Sequence, residues 1–332
     1  MHLHLRQEAL LKAVAPISSV YCSDVLVMPN TDPAIVNGSD ILAYQKECEV
    51  GCFPLMTAKL TPATTPEIVE SIVATEGIAL KGYPEGVTTG SEGGLTREML
   101  MDFPPTLVDS LKAMEHYDLM SLWHGELPGS FSMDREEHFL PVLQKIADLC
   151  PHLRIVLEHI STAAGVNVVR KLRKSGVRIS GTITSHHPWF PNGLDDLLGG
   201  KLYTDRFCKP ILKRPEDAEA LREVIFNAEE GFCWGSDSAA HEPEKKHAAE
   251  CCAGCFTAGD PEMLVQLFEE HGALKNLEKF VVHNATSIYG LSEPSGCLTF
   301  VKEPRTVPDN YNGITPLLAG ETLNWTLKEA SA

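Results

Sequence analysis

No apolar run in the 332 residues approaches the roughly 18 consecutive apolar positions that a membrane-spanning helix needs, which excludes such a span. Basic side chains are scarce: 28 Lys and Arg stand against 45 Asp and Glu, a formal net charge of −17. That field repels a phosphate backbone and argues against nucleic acid as a partner. A Gly-x-Gly-x-x-Gly turn between strand and helix is missing, which removes a dinucleotide-binding crossover. Linkers, low-complexity tracts and fixed-period repeats are missing as well, so a single domain over residues 1–332 is expected. The Cys252-Ala253-Gly254-Cys255 spacing has neither a second C-x-x-C nor a histidine pair to complete a structural zinc site, and these residues read as loop thiols. With ten cysteines and no secretory leader after Met1, the thiols are expected to be reduced and the chain cytoplasmic.

What is present is an alternation of short β-rich runs with amphipathic stretches from end to end. Eight strands are expected: His2 to Arg6, Asp24 to Met28, Phe53 to Leu60, Ile78 to Tyr83, Leu119 to His124, Arg154 to His159, Val177 to Thr184 and Phe232 to Asp237. Helical patterns fall between them at Pro66 to Thr75, Pro105 to His116, Asp134 to Leu149, Val166 to Lys174 and Pro215 to Ala228, several opened by a proline in the first turn. Eight such units close an α/β fold of the (β/α)8 TIM-barrel type, with a barrel core at about 2–290. Beyond Pro261, helical patterns at Met263 to His271 and Leu274 to Phe280 are expected. A helical or irregular C-terminal extension at about 291–332 then carries strand-like pieces at Cys297 to Val301 and Thr322 to Leu327, and no catalysis is expected there.

The polar residues are not scattered over these elements. His4, Asn30, Lys81, His124, His159 and Asp237 all fall at or just past the C-terminal ends of their strands, the rim where barrel enzymes build active sites. His2 and His4 share one face of an extended strand, with Arg6 next on that face, which suggests a metal site beside an anion clamp. Strands 3 and 7 offer no obvious ligand, and His186 and His187, past strand 7, read as packing or hydrogen-bonding groups outside the site.

The His-x-His pair, the lone strand-end Lys, two later strand-end His and the final Asp resemble the binuclear amidohydrolase superfamily. Val27-Met28-Pro29-Asn30, Lys81-Gly82-Tyr83-Pro84 with Gly86-Val87-Thr88-Thr89, His124-Gly125-Glu126, Glu158-His159, Gly235-Ser236-Asp237-Ser238-Ala239 with His241, Cys252-Ala253-Gly254 and Leu318-Ala319-Gly320-Glu321 narrow the resemblance. They are similar to the single-domain dihydroorotases of pyrimidine biosynthesis, from His2 to about Leu327. Imidazole and carboxylate are good zinc ligands, so His2, His4 and Asp237 would hold one of two Zn2+ ions and His124 and His159 the other. An ammonium at Lys81 would repel both ions and offers no lone pair. A depressed pKa would free the amine, and the resemblance implies that it takes up CO2 to become N6-carboxylysine bridging them. A shared water of lowered pKa would open or form the ring amide, with Asp237 as general acid/base.

The resemblance further implies N-carbamoyl-L-aspartate and L-dihydroorotate as substrate pair, and a homodimer. It implies that Arg6, Asn30 and His241 hold the substrate carboxylate, that Ala253 and Lys209 meet the ring, and that Thr88 and Thr89 reach over it from a mobile lid at Pro84 to Gly94. His247 is a second candidate beside His241 on chemistry alone. The departure from the family is at the start: Met1 directly precedes His2 where members carry a lead-in of about a dozen residues, so either a first segment is missing from this sequence or the barrel tolerates a bare start, whose fraying would weaken metal affinity. The competing readings are another cyclic-amide hydrolase, hydantoinase- or allantoinase-like, without the same need for a carboxylate clamp, and a non-catalytic scaffold on the same barrel.

Overall fold

The computed structural model describes residues 2–48 and 51–331; Met1, the residue behind the expected fraying, lies outside them. Nine parallel strands form one sheet: β1 (His2–His4), β2 (Asp24–Val27), β3 (Phe53–Leu60), β4 (Ala79–Gly82), β5 (Met120–His124), β6 (Arg154–Glu158), β7 (Ile179–Ile183), β8 (Phe232–Trp234) and β9 (Ser238–Ala239). Their spatial order, β8-β7-β6-β5-β4-β3-β2-β1-β9, is the chain order wrapped on itself. The eighth expected strand stops at Trp234 and a separate short strand, β9, follows beyond its expected end. β8 pairs with β7, and β9 pairs with β1 through Leu3 to Ser238 and His4 to Ala239, shutting the barrel.

Strand period decides what faces inward. Leu26, Ala79, Met120, Leu122, Val156 and Cys233 pack together inside the barrel, while Val25, Val27, Leu80, Trp123, Ile155 and Leu157 turn out to the helices. One period above that apolar plug the inner positions become polar, Lys81 above Ala79, His124 above Leu122 and Glu158 above Val156. A barrel mouth is thus lined by strand residues fixed in register. The helices start on clear signals: Thr65, Thr96 and Thr162 accept the backbone N–H groups of Ile68, Met99 and Gly165, each such cap contributing about 1 kcal/mol.

Several expected boundaries are corrected. Strand 1 ends at His4 rather than Arg6, strand 6 at Glu158 rather than His159, and strand 8 at Trp234 rather than Asp237. Arg6, His159 and Asp237 have left-handed backbone conformations, with φ of 62°, 41° and 50°, and a residue in that region leaves the β ladder. The segment at Leu274 to Phe280 is a 3-10 turn, Leu274–Asn276, followed by a π-helical turn, Lys279–His283. The C-terminal extension is built on strands rather than helices. It holds two small antiparallel sheets, β10 (Cys297–Val301) with β13 (Thr326–Ser331), and β11 (Arg305–Thr306) with β12 (Thr322–Leu323). The expected piece at Thr322 to Leu327 is interrupted where Asn324 donates its N–H to Gln266 and Trp325 its indole N–H to Glu269. Val307, Leu317, Leu318 and Leu323 of this extension pack on Phe190, Cys208, Leu212 and Cys255 near the barrel mouth. No helix among the described residues is long and apolar enough to cross a membrane.

Candidate metal centre and active site

A cleft of about 350 Å³, counted with the open solvent space at its mouth, lies at the C-terminal ends of the strands. It brings together His2, His4, Arg6, Asn30, Lys81, Thr88, Thr89, His124, His159, Lys209, Asp237 and Ala253, with Tyr83, Ala239 and Gly254 completing the wall. Of the residues singled out in the sequence, only His241 stands behind the wall. Its Nε2 lies 3.1 Å from Arg6 Nη2 and 3.0 Å from the Ala253 carbonyl. A single ring nitrogen cannot accept and donate at once, and the guanidinium is a permanent donor, so Nε2 accepts from Arg6. Burial and then the Arg6 charge push His241 down to about 2, leaving it neutral. His247 is elsewhere, 3.0 Å from Asp205.

Three of the four imidazoles are oriented by a partner on one nitrogen, leaving the other for the cleft, while His159 Nδ1 has no hydrogen-bond partner among the described residues. His2 Nδ1 donates to Glu158 Oε2 at 2.7 Å, and its Nε2 faces Asp237 Oδ1 at 3.1 Å. His4 Nδ1 donates to Asn30 Oδ1 at 2.7 Å, and its Nε2 lies 3.0 Å from the same Asp237 oxygen. His124 Nε2 is held by Glu126 Oε2 at 2.9 Å, so Nδ1 faces His159 Nε2 at 3.2 Å. Carboxylate or amide behind the ring is the arrangement that fixes tautomer and basicity in metal-ligating histidines. Donor atoms of His2, His4 and Asp237 all lie within 4.8 Å of one another.

Burial keeps His4 and His159 in ligating form, whereas at His2 burial is outweighed by Glu158 and Asp237, which raise it. Burial drives His4 down to about 4 and His159 well below the ordinary histidine range, so both rings are neutral with a free lone pair. Asp237 is held well below the usual carboxylate range: burial opposes ionisation, but the close imidazoles of His159, His2 and His4 outweigh it. Glu158 is held at about 2 against burial by His2, Lys81 and Thr182. Lys81 is wholly buried, its Nζ has no hydrogen-bond partner among the described residues, and burial lowers its pKa to about 8 despite Glu158 and Asp237. An orphaned amine amid neutral imidazoles and ionised carboxylates is a donor set that fits divalent cations.

The supporting residues are those that sequence reasoning missed. Thr182, on the supposedly idle β7, donates its hydroxyl to Glu158 Oε2 and accepts the His159 N–H, both at 2.7 Å. Lys59, on the equally idle β3, donates to the carbonyls of Gly90 and Glu92 at 3.1 and 2.7 Å and so anchors the Gly- and Thr-rich loop. That loop is drawn over the mouth, with Thr89 Oγ1 accepting the Ala253 N–H at 3.0 Å and Asn30 Nδ2 reaching the Thr89 carbonyl at 3.3 Å. Glu158 and Glu126 stood in the quoted Glu-His and His-x-Glu motifs, which was the available signal. Gly254 has φ of 141°, and a Cβ there would come within 2.8 Å of His241, so the wall needs glycine.

A scan of family models gives no match to this chain. Full-length relatives do match: a dihydroorotase of Marinobacter nauticus is 37% identical, covering 98% of this chain and 96% of that protein, and one of Halorhodospira halophila is 37% identical, covering 99% and 96%. Among solved structures, a Campylobacter jejuni dihydroorotase superposes with a TM-score of 0.87 at 35% identity, covering 99% of this chain and 95% of that one. A Saccharomyces cerevisiae dihydroorotase in complex with 5-fluoroorotic acid gives 0.91 at 28%, covering 99% and 96%. An L-hydantoinase of Arthrobacter aurescens, 13% identical with a TM-score of 0.82 and coverage of 98% and 81%, shares the fold. With identity this high over almost every residue, and the histidine- and acid-lined mouth in the corresponding barrel, the chain belongs to the dihydroorotase family.

Proposed function

We propose that the chain interconverts N-carbamoyl-L-aspartate and L-dihydroorotate, with loss or gain of water, as a step of pyrimidine biosynthesis, and that it works as one domain. Two zinc ions would be held by His2, His4, His124, His159 and Asp237, with Lys81 between them as a carbamate. The observation that carries this reading is Lys81: a fully buried amine at the barrel mouth, with no hydrogen-bond partner among the described residues and its pKa lowered to about 8. Its neutral fraction can add to CO2, forming an N–C bond and releasing one proton, so that a positive group becomes a negative one with two donor oxygens. When bound, the ions would polarise the carbonyl under attack and acidify water.

The side chains supply the rest. Arg6 commits Nε to the Ala240 carbonyl and Nη2 to His241, which leaves guanidinium donors over for a substrate carboxylate. Asn30 both orients His4 and lends its amide to the same clamp. Asp237, ionised and held through Oδ1 by two imidazoles, keeps Oδ2 free to receive a proton in the ring-opening direction and deliver it to the departing ring nitrogen. Thr88, Thr89, Lys209 and the Ala253 backbone close over the ring and exclude water. The homodimer implied by the family resemblance is a reading for light scattering to check.

Arg6→Met tests the substrate assignment. Losing a charge-assisted pair of about 1.5–3 kcal/mol raises KM for dihydroorotate by roughly 10- to 150-fold, while a neutral cyclic amide is unaffected. Unchanged KM and kcat for dihydroorotate would remove the carboxylate clamp and favour a hydantoinase-like substrate.

A further inference from the structure

Outside the mouth, His186, Cys208 and Cys255 form a second cluster. Their ligand atoms all lie within 4.8 Å of one another, and all three residues are buried. They come from three segments: the short helix His186–Trp189 after β7, the loop before the helix Pro215–Phe226, and the loop after β9. The histidine pair divides sharply. His187 is fully used, Nδ1 accepting from Thr184 Oγ1 at 2.7 Å and Nε2 donating to the Pro210 carbonyl at 3.0 Å. His186, 1% exposed, has no hydrogen-bond partner for either ring nitrogen among the described residues. A buried imidazole with two idle nitrogens facing two thiols is costly unless something occupies the gap.

We infer that His186, Cys208 and Cys255 are a structural site for a thiolate-preferring divalent cation, zinc foremost, separate from the reaction centre. Charge favours it: a divalent ion, two thiolates and a neutral imidazole sum to zero, which suits a buried site. Binding exchanges two thiol protons for the metal, with no redox change, and leaves one coordination position for a small ligand such as water. Burial holds His186 neutral, at about 3, with its lone pair available. Cys208 is kept a thiol without metal by its hydrogen bond with Cys255 and by burial, so uptake of the ion must displace that proton. Lys246 prepares the place by donating to the carbonyls of Phe207, Cys252 and Gly254, which flank the two cysteines. Because Cys208 precedes Lys209 and Cys255 follows Ala253 and Gly254, the ion would pin two walls of the substrate cleft.

The proposed reaction centre has only nitrogen and oxygen donors, so a sulfur signature reads the new site alone. The full-length protein, reduced, stripped of metal and reloaded with Co2+, is expected to show intense near-ultraviolet thiolate-to-cobalt absorption. Cys208→Ser/Cys255→Ser should lose that band and hold one zinc fewer per chain, His186→Ala should weaken it, and Cys251→Ser/Cys252→Ser should keep it. No such band in the wild-type protein overturns the inference, with no variant needed. So does a band that survives Cys208→Ser/Cys255→Ser, or a Cys208–Cys255 disulfide formed under the loading conditions with no ion bound.

Discussion

At the scale of single residues, burial acts on two charges in opposite directions. It loosens Lys81's hold on its proton and makes Asp260 hold on to its own. Asp260 is fully buried at the start of the helix Asp260–Glu270 and accepts a hydrogen bond from Thr257 Oγ1, while Oδ1 has no well-formed hydrogen bond among the described residues. Burial raises its pKa to about 8, opposed by Thr257 and Ser185 and assisted by Glu262 and Asp237. The unfolded carboxyl releases its proton near pH 4. Between about pH 4 and 8 the folded state therefore binds more protons than the unfolded one, and this group's contribution to stability falls as pH rises through that window. Asp260→Asn should flatten the fall. Urea midpoints measured at pH 6 and 9 should show the variant gaining on the wild type at the higher pH, and an equal difference at both would mean that Asp260 ionises normally in the fold.

At the scale of elements, each strand that looked idle braces its neighbours. Thr182 on β7 is the hinge of this argument, since one hydroxyl serves both Glu158 and the His159 backbone. Thr182→Val keeps shape and removes both bonds. It is expected to weaken metal affinity about 10- to 100-fold, as loss of an outer partner does, measured by competition with a coloured chelator. Unchanged affinity would show that Glu158 needs no second donor. The strand ends carrying His4, Lys81 and His124 were legible because an apolar run of fixed period stops at a polar residue. The partners were not, because they are joined only by folding: His2 meets Glu158 across 156 positions, and His4 meets Asp237 across 233. Left-handed turns at Arg6, His159 and Asp237 were hidden for a similar reason, since non-glycine residues adopt them only where tertiary contacts hold them there. Cys255 was misleading in sequence, where its C-x-x-C neighbour was nearer than Cys208 and His186.

For the whole molecule, a formal charge of −17 surrounds a cleft lined, among the described residues, by the basic side chains of Arg6, Lys81 and Lys209. Divalent ions held as proposed would change that balance and would tie residues from β1, β4, β5, the end of β6 and the β8–β9 break to common points. An ion present at a hundred times its dissociation constant stabilises the fold by about 2.7 kcal/mol. Removing metal with a chelator should accordingly lower the melting temperature by a few degrees, and added zinc should restore it. A calorimetric scan that does not move on chelation would mean that the cavity holds no ion in the native state.

The break between β8 and β9 gives this a mechanical side. Asp237 occupies the gap at which the cylinder is sewn shut, flanked by the strands that grip β7 and β1, and its carboxylate touches the two imidazoles that β1 carries. An ion seated there, as proposed, would act as a rivet through the seam, so that the barrel could not open along it without first letting go of the proposed chemistry.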